Sequence, residues 1–120
     1  MEHTVMLNKN RDFVNLYKKG TKVGSKFVLC YVRPNGRAYN RLGLTAGKKV
    51  GNAVERNRAK RVLRAAYREA ESSLPCGIDL ILVALPGLPQ EKSTTIAHFL
   101  MGNGARRIWR AVGQTPQNLQ

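Results

Sequence analysis

The sequence predicts an α/β (α+β) fold with elements in the order α-β-β-β-α-β-α. Three segments carry apolar residues at helical spacing, and the segments between them are continuously or alternately apolar. Turns containing glycine or proline separate the two kinds of segment. With 120 residues, 42% of them hydrophobic, the chain suffices for one folded domain, which we place at residues 1–113. We expect residues 114–120 to be a frayed tail.

The first predicted element is a helix over residues 10–19. Phe13, Leu16 and Tyr17 recur at helical spacing, and Gly20 supplies a stop. Because Phe13 and Tyr17 are four residues apart, their rings share one face of the helix. The residues alone favour a core position for both rings, and a surface aromatic pair is the open alternative.

Strands are predicted next, over residues 27–32 and 41–46, with a short strand near Tyr39 between them. The Pro-Asn-Gly turn at residues 34–36 ends the first of these strands. Its side chains alternate between two faces, and both faces are apolar. One face must be core. The other lies under a helix or forms the floor of a groove, and periodicity does not distinguish these two arrangements.

A second helix begins near Ala53, because Asn52 and Glu55 have the spacing of a capping box. It is predicted to run to residue 72 or 73, where the Leu-Pro-Cys-Gly sequence at 74–77 ends it.

The apolar run over residues 78–85 predicts a strand that is buried on both sides. Strand, second helix and strand then form a crossover unit. A last helix is predicted as one element over residues 93–112, although Gly102 and Gly104 each weaken it by about 1 kcal/mol.

The charge distribution is the strongest functional indication. The chain has 21 Lys and Arg against 7 Asp and Glu, a formal charge of +14, and five of the cations fall within residues 56–64. Like charges on one short helix repel one another, and an ordinary solvated face would intersperse acidic residues at i,i+4. Cations in the first turn of a helix also oppose its dipole. This pattern favours a helix face that binds a polyanion, and nucleic acid is the polyanion it fits.

A helical wheel separates this helix into two sides. One sector holds cations and one amide, and the adjoining sector is apolar. Arg58 falls outside the cationic sector, so we expect it to contact a second RNA segment or to be solvated. The cationic sector consists of Asn57, Lys60, Arg61, Arg64 and Arg68.

The sequence argues against a protein-based nuclease or a metal site. His3 and His98 are isolated, and the carboxylates are scattered over different elements. Cys30 and Cys76 lie in apolar surroundings, where we expect reduced, buried thiols. The longest apolar run is too short to span a bilayer, so we expect a cytoplasmic protein with no membrane association.

Residues 47–64 resemble the characteristic segment of the bacterial ribonuclease P protein subunit. The likeness rests on Lys-Lys-x-Gly-Asn-Ala-Val at 48–54, and on Arg-Asn-Arg at 56–58 with the Lys-Arg and Arg that follow. Asp12 to Tyr17, Phe27 to Tyr31 and the apolar strand with Asp79 extend the likeness over most of the chain.

This resemblance implies a two-layer sandwich in which the first helix lies against a mixed sheet. It also implies a left-handed crossover carrying the basic helix, where the general rule would favour a right-handed one. The activity implied is that of a protein cofactor in a ribonucleoprotein endoribonuclease, whose RNA subunit carries the chemistry and holds most of the Mg²⁺. The implied partners are ribonuclease P RNA and precursor tRNA; no DNA is expected, and no protein partner is required.

The resemblance also implies two sets of binding residues. Phe13, Tyr17 and Tyr31 match positions that bind the 5′ leader of precursor tRNA, where each stacked base is worth about 1–3 kcal/mol. For Phe13 and Tyr17 this favours the surface interpretation. The residues expected to bind the RNA subunit are Lys48, Lys49, Arg56, Asn57, Arg58, Lys60, Arg61, Arg64 and Arg68.

Two other classes of protein remain as alternatives. A structural, ribosomal-type RNA-binding protein would use the same basic surface without a role in tRNA processing. A DNA-binding module is less favoured, because no helix lies close before the basic helix to form a helix-turn-helix frame.

Overall fold

A computed structural model describes residues 1–114 as one five-stranded sheet with four α-helices. The predicted order of helices and strands is confirmed from the first helix to the last strand; one additional strand precedes the first helix, and two helices follow the last strand where one was predicted. The strands are β1 (Thr4–Met6), β2 (Thr21–Gly24), β3 (Val28–Pro34), β4 (Asn40–Ala46) and β5 (Ile78–Ala84). The helices are α1 (Asn10–Lys19), α2 (Ala53–Ala70), α3 (Ser93–Met101) and α4 (Asn103–Ala111).

The sheet is mixed, with the strand order β1-β4-β5-β3-β2. The central strand β5 is parallel to β4 and antiparallel to β3, while β1 is parallel to β4 and β2 is antiparallel to β3. The unit β4-α2-β5 is therefore the predicted crossover between adjacent parallel strands. Its left-handed sense stays a prediction from the resemblance.

Helices cover the two faces of the sheet unequally. Helices α2, α3 and α4 form one layer over the main core, into which alternate residues of β3 and β5 project, such as Val28, Cys30 and Leu82. Helix α1 lies on the opposite face, where Leu16 is buried against Ile81. The central strand β5 is thus buried on both sides, as predicted.

The N-terminal segment is held at the end of α2 by a buried carboxylate. Glu71, only 5% exposed, accepts hydrogen bonds from the backbone N–H of Glu2 at 2.8 Å and of His3 at 3.5 Å, and from the hydroxyl of Thr4. Thr4 and the buried Tyr67 share a further hydrogen bond of 2.7 Å. This network places β1 beside β4.

Two strand predictions need correction. Neither β1 nor β2 was predicted, because each is short and β2 has only Val23 buried. The strand expected near Tyr39 is wrong, since residues 36–39 form bends and β4 begins at Asn40. The amide of Asn35 explains the bends: it donates to the carbonyl of Tyr39 at 3.2 Å and accepts from the N–H of Arg37 at 2.8 Å, and such local bonds compete with strand pairing.

The last helix was wrongly predicted as one element, because it breaks at Gly102. The N–H of Gly102 donates to the carbonyls of His98 and Phe99, and the backbone of Gly102 is not helical, with φ −105° and ψ −110°. Gly104 allows this close packing, since a Cβ there would lie 2.9 Å from Cε2 of Phe99. Met101, the last residue of α3, is 39% exposed.

The two cysteines have different environments. Cys30 is buried, as expected, and burial raises the pKa of its thiol to about 12. For Cys76 the expectation was wrong: it is exposed on the loop before β5, where its thiol donates to the carbonyl of Ala38 at 3.1 Å. None of the helices within residues 1–114 is long and apolar enough to cross a membrane. Residues 115–120 of the predicted tail lie outside the described residues.

Candidate nucleic-acid interface

Helix α2 begins with the capping box that the sequence predicted. The side chain of Asn52 accepts a hydrogen bond from the N–H of Glu55 at 2.9 Å, and the Glu55 carboxylate accepts one from the N–H of Asn52 at 3.2 Å. A single 3₁₀ turn, Lys48–Val50, leads into this cap from the end of β4. The cap fixes the residue at which the helix starts, and therefore which side chains face outward.

The outward side of α2 carries the predicted cations, which we call the basic face. Residues of the opposite side, such as Leu63, Ala66 and Tyr67, are fully buried against the sheet and α3. Val62 is partly buried and packs at the margin of the core. The exposed members are Asn57, Arg58, Arg61 and Arg68, the half-buried members are Arg56, Lys60 and Arg64, and the exposed Lys48 and Lys49 precede the helix.

The charges of the basic face are not neutralised by neighbouring side chains. No acidic residue occurs between Asp12 and Glu55 in the sequence, and Glu55 is used in the helix cap. Within residues 1–114, the ion pairs are those of Arg41 with Asp12 and Asp79, on the other face of the sheet. The basic face therefore presents an uncompensated positive field, which is suited to the phosphates of a nucleic acid.

A second surface lies where α1 crosses the sheet. Tyr31 on β3, Ile81 on β5 and Gly43 on β4 are neighbours in one row across three strands. Above this row, the ring of Phe13 packs directly on the backbone of Gly43, at a position where a Cβ would lie 2.6 Å from Cε1 of the ring. A glycine within a strand permits such a close approach.

On the face of the sheet that carries α1, this row and the helix form an aromatic cleft, which we define by Phe13, Tyr17 and Tyr31. The rings of Tyr17 and Tyr31 meet edge to face with centroids 4.9 Å apart, and Tyr17 is 39% exposed. The ammonium group of Lys22 lies 5.8 Å from the centroid of Tyr31. The exposed ring of Tyr17, with the half-buried ring of Tyr31 and a cation beside it, forms a platform on which unpaired bases can stack.

The floor of the aromatic cleft continues toward α2. The next row of the sheet consists of Leu29, Val83 and Thr45, all partly exposed on this face. Strand β4 ends one residue after Thr45, and the turn containing Lys48 and Lys49 follows at once. The aromatic cleft and the basic face are therefore joined by a short stretch of chain.

Helix α1 is fixed over the sheet by a polar cluster at its first turn. Arg41 forms two hydrogen bonds with Asp79, of 2.8 and 2.6 Å, and reaches Asp12 of α1 at 3.5 Å. Burial tends to raise the pKa of Asp79, but the hydrogen bonds from Arg41 and Asn35 hold that pKa below its ordinary value. The hydrogen bond with Asp79 in turn raises the pKa of Arg41. The cluster sets the position of α1, and with it the position of the cleft rings.

The structure brings the three predicted cleft residues together, with different exposures. Phe13 is half-buried and packs against Leu7, Leu16 and Ile81, a position between the core and the surface interpretations, whereas Tyr17 is exposed. Their role in binding RNA stays a prediction.

Sequence reasoning missed Lys22 and Gly43. Lys22 could not be placed because β2 was not predicted. For Gly43 a signal existed, since an isolated glycine within the Leu-Gly-Leu pattern of a strand indicates a close approach to the backbone.

The carboxylates, histidines and cysteines of the described residues do not gather into groups of three or more that could hold a metal ion. Four of the carboxylates have structural partners: Asp12 and Asp79 bind Arg41, Glu55 caps α2, and Glu71 holds the N-terminal segment.

The chain is similar to proteins of one family. A family model described as Ribonuclease P matches residues 1–109. A ribonuclease P protein component of Brevibacillus brevis is 40% identical over 89 residues, which cover 73% of this chain and 71% of that protein. Another, of Alkaliphilus metalliredigens, is 35% identical over 101 residues, covering 84% of this chain and 91% of that protein.

Solved structures agree with these relatives. The RNase P protein from Thermotoga maritima has a TM-score of 0.75 and 29% sequence identity, covering 86% of this chain and 96% of that chain. The RNase P protein of Staphylococcus aureus has a TM-score of 0.72 and 30% identity, covering 88% of this chain and 95% of that chain. The mixed sheet with its helices is shared with both structures.

Proposed function

Because the chain belongs to the ribonuclease P protein family, we propose that it uses two surfaces to bind two RNAs. This family forms the protein subunit of a ribonucleoprotein endoribonuclease that matures tRNA 5′ ends. The basic face binds the RNA subunit, and the aromatic cleft binds the 5′ leader of precursor tRNA. The observation that carries this division is the pair of rings, Tyr17 and Tyr31, on the face of the sheet opposite to α2.

The aromatic cleft suits a single-stranded leader. Stacking on tyrosine rings tolerates any base, because every base has a π-face, and a leader of variable sequence needs that tolerance. Lys22 beside Tyr31 adds attraction for the leader phosphates. A mature tRNA lacks the leader, so the cleft would discriminate precursor from product.

The basic face suits a structured RNA. Its helical cations lie between Arg56 and Arg68 of a capped helix of 18 residues, so their spacing is fixed before binding. Arginine predominates within α2, and its planar guanidinium makes bidentate contacts with phosphate. Such contacts anchor the protein without requiring a particular sequence.

The cleavage chemistry is assigned to the RNA subunit, which would also hold most of the Mg²⁺. This proposal is supported by the structural partners of Asp12, Glu55, Glu71 and Asp79, each of which already accepts hydrogen bonds within the fold. The protein then acts by screening phosphate repulsion and by holding the leader. A bacterial cytoplasmic location accords with these partners.

The test is cleavage of a 5′-extended precursor tRNA at low Mg²⁺, with a bacterial ribonuclease P RNA alone, with the protein alone, and with both. We expect strong stimulation when both are present, and most of it at low Mg²⁺, where phosphate repulsion is least screened. Tight RNA binding without stimulation would favour the structural RNA-binding alternative, which the named relatives do not support. Competition by duplex DNA would test the expectation of no DNA target.

A paired substitution tests the cleft. Tyr17→Ala should weaken binding of precursor tRNA by about 5- to 150-fold, the loss of one stacked base, with little change for mature tRNA. Tyr17→Phe, which keeps the ring, is the matched control and should retain the preference for precursor. Equal losses for both RNAs would show that the leader does not lie on this ring.

A further inference from the structure

A polar pocket lies on the flank of α1 opposite to the aromatic cleft. Tyr17 and Asn15 immediately follow and precede the buried Leu16, so their side chains leave α1 on its two opposite flanks. Tyr17 lines the cleft, whereas Asn15 lines a pocket of about 210 Å³. Its other polar walls are Arg33 on β3, Asn35 and Arg37 in the loop that follows, and Arg41 with Asp79 beneath them.

The charges of this pocket are unevenly paired. Arg41 and its two aspartates form a closed cluster, because Asp79 is bound through both carboxylate oxygens and Asp12 is also directed at Arg41. Arg33 and Arg37 have no carboxylate partner within residues 1–114. Three arginines and two aspartates therefore line the pocket, which leaves it with an excess of one positive charge that an anion would neutralise.

The loop that carries Arg37 is held in place. The guanidinium of Arg37 lies 5.8 Å from the ring centroid of Tyr39 and donates to its hydroxyl at 3.2 Å. The side chain of Asn35 binds the N–H of Arg37 at 2.8 Å and donates to Asp79 at 3.0 Å. The pocket wall is thus ordered before any ligand arrives, which lowers the entropic cost of binding.

The positive surface continues beyond this pocket. A neighbouring depression of about 230 Å³ shares Asp12, Arg37 and Arg41 with the pocket and adds Lys9 and Arg11 at the start of α1. Two linked depressions with a succession of cations suit a polymer of phosphates better than one small anion.

We propose that this pocket, bordered by Arg33 and Arg37, binds a backbone phosphate of an RNA strand as a third RNA-binding surface behind α1. The proposal rests on the proposed function, since it adds a binding site for the same RNAs. It is separate from the aromatic cleft, which lies on the other flank of α1, and from the basic face, which lies on the other face of the sheet.

The test compares two double variants of equal charge. Arg33→Gln with Arg37→Gln removes the pocket cations, and Arg106→Gln with Arg110→Gln removes two exposed cations of α4. Binding of the ribonuclease P RNA, and of precursor tRNAs with short and long leaders, is measured over a series of KCl concentrations. We expect the pocket variant to bind one of these RNAs about tenfold more weakly, and its salt slope to fall by about 0.7–0.9, the value for one phosphate.

Which RNA is affected identifies the strand. A loss of affinity confined to long leaders places leader nucleotides in the pocket, and a loss with the RNA subunit places that subunit there; both outcomes support the proposal. Equal affinities and salt slopes for the two double variants would overturn it. Failure of the proposed function would look different, because wild-type protein would then fail to stimulate cleavage.

A measurement on the wild-type protein avoids dependence on the variants. In NMR spectra, the side-chain N–H signals of Arg33 and Arg37 should shift on addition of a short RNA oligonucleotide at low salt. Shifts with inorganic phosphate but not with the oligonucleotide would make the pocket a site for a small free anion, and this too would overturn the RNA proposal.

Discussion

The ring of Phe13 lies on the backbone of Gly43, and this contact sets the height of α1 above the sheet. A Cβ at Gly43 would lie 2.6 Å from Cε1 and 2.8 Å from Cζ of the ring. Both distances are shorter than van der Waals contact, so any larger residue must displace the ring. Since Phe13 and Tyr17 share one face of α1, the packing of one ring determines the position of the other.

Gly43→Ala should therefore move α1 and disturb the aromatic cleft. We expect a loss of about 1–3 kcal/mol in the free energy of unfolding from overpacking, and a weaker preference for precursor over mature tRNA. Denaturant unfolding and tRNA binding check the two parts. Gly47→Ala is the matched control, because a Cβ at Gly47 meets nothing within 4 Å. Equal behaviour of the two variants would mean that α1 tolerates the methyl group.

Removal of cations from the basic face should change the salt dependence of binding to the RNA subunit. Arg61→Ala and Arg64→Ala should each weaken binding and reduce the slope of log K against log salt by about 0.9, the value for one phosphate contact. Lys92→Ala, an exposed cation before α3, is the control and should leave the slope nearly unchanged. A similar drop for all three variants would indicate that net charge, and not the position of these arginines, determines binding.

Glu71 should make the stability of the fold depend on pH. Burial tends to raise the pKa of this carboxyl, but hydrogen bonds from Thr4, Glu2 and His3 outweigh it and lower the pKa. Because its pKa is lower in the folded state, ionised Glu71 stabilises the fold at pH values above its ordinary pKa, near 4.5. This stabilisation is lost as the pH falls through the lower pKa of the folded state.

At pH 7, Glu71→Gln should thus reduce the free energy of unfolding by about 1.5–3 kcal/mol, the value of hydrogen bonds to a charged group. The difference from wild type should shrink below pH 4.5. The control is Glu69→Gln, at an exposed position two residues before Glu71, which should change the free energy of unfolding little at any pH. A pH-independent difference for Glu71→Gln would attribute the loss to packing and not to the charge.

The two thiols should differ sharply in reactivity. Cys30 is buried with a pKa of about 12, whereas Cys76 is exposed. At pH 8, we expect rapid alkylation of Cys76 alone in the native protein, and alkylation of Cys30 only after unfolding. Mass spectrometry of the labelled peptides distinguishes the two sites. Rapid native labelling of the Cys76→Ser variant would contradict the buried position of Cys30.

Local signals in the sequence were sufficient for much of the fold. The capping box at Asn52 and Glu55 and the continuous apolar run of β5 predicted α2, β5 and the crossover between parallel strands. These elements are long or carry a specific side-chain signal, and the structure has them at the predicted places.

Elements that depend on distant partners were missed. Strand β1 exists because it pairs with β4 and because Glu71, far along the chain, binds its backbone. The break at Gly102 follows from the packing of Gly104 against Phe99, which local propensity does not reveal. The pocket beside Arg33 and Arg37 likewise forms only when α1 and a loop between strands are brought together.

For the candidate site, the composition of α2 predicted the cations of the basic face, whereas Phe13, Tyr17 and Tyr31 were assigned to a cleft only by the resemblance to a family. Their exposures required the tertiary structure, because Phe13 and Tyr17 share a helix face and yet differ in burial. The resemblance to a family supplied the assignment of these residues to particular RNAs.

The central position of β5 has a consequence for synthesis of the protein on the ribosome. Strands β3 and β4 follow each other in the chain, yet both pair with β5, which comes some 30 residues after β4 and lies between them. While β5 is still inside the exit tunnel, the nascent chain can form only the β2–β3 hairpin and the β1–β4 pair. These two pairs are not joined into one sheet until β5 pairs with both β3 and β4. Tyr31 and Gly43 become neighbours of one row when Ile81 has emerged between them. The aromatic cleft is therefore completed late in translation, after the residues of the basic helix have already been made.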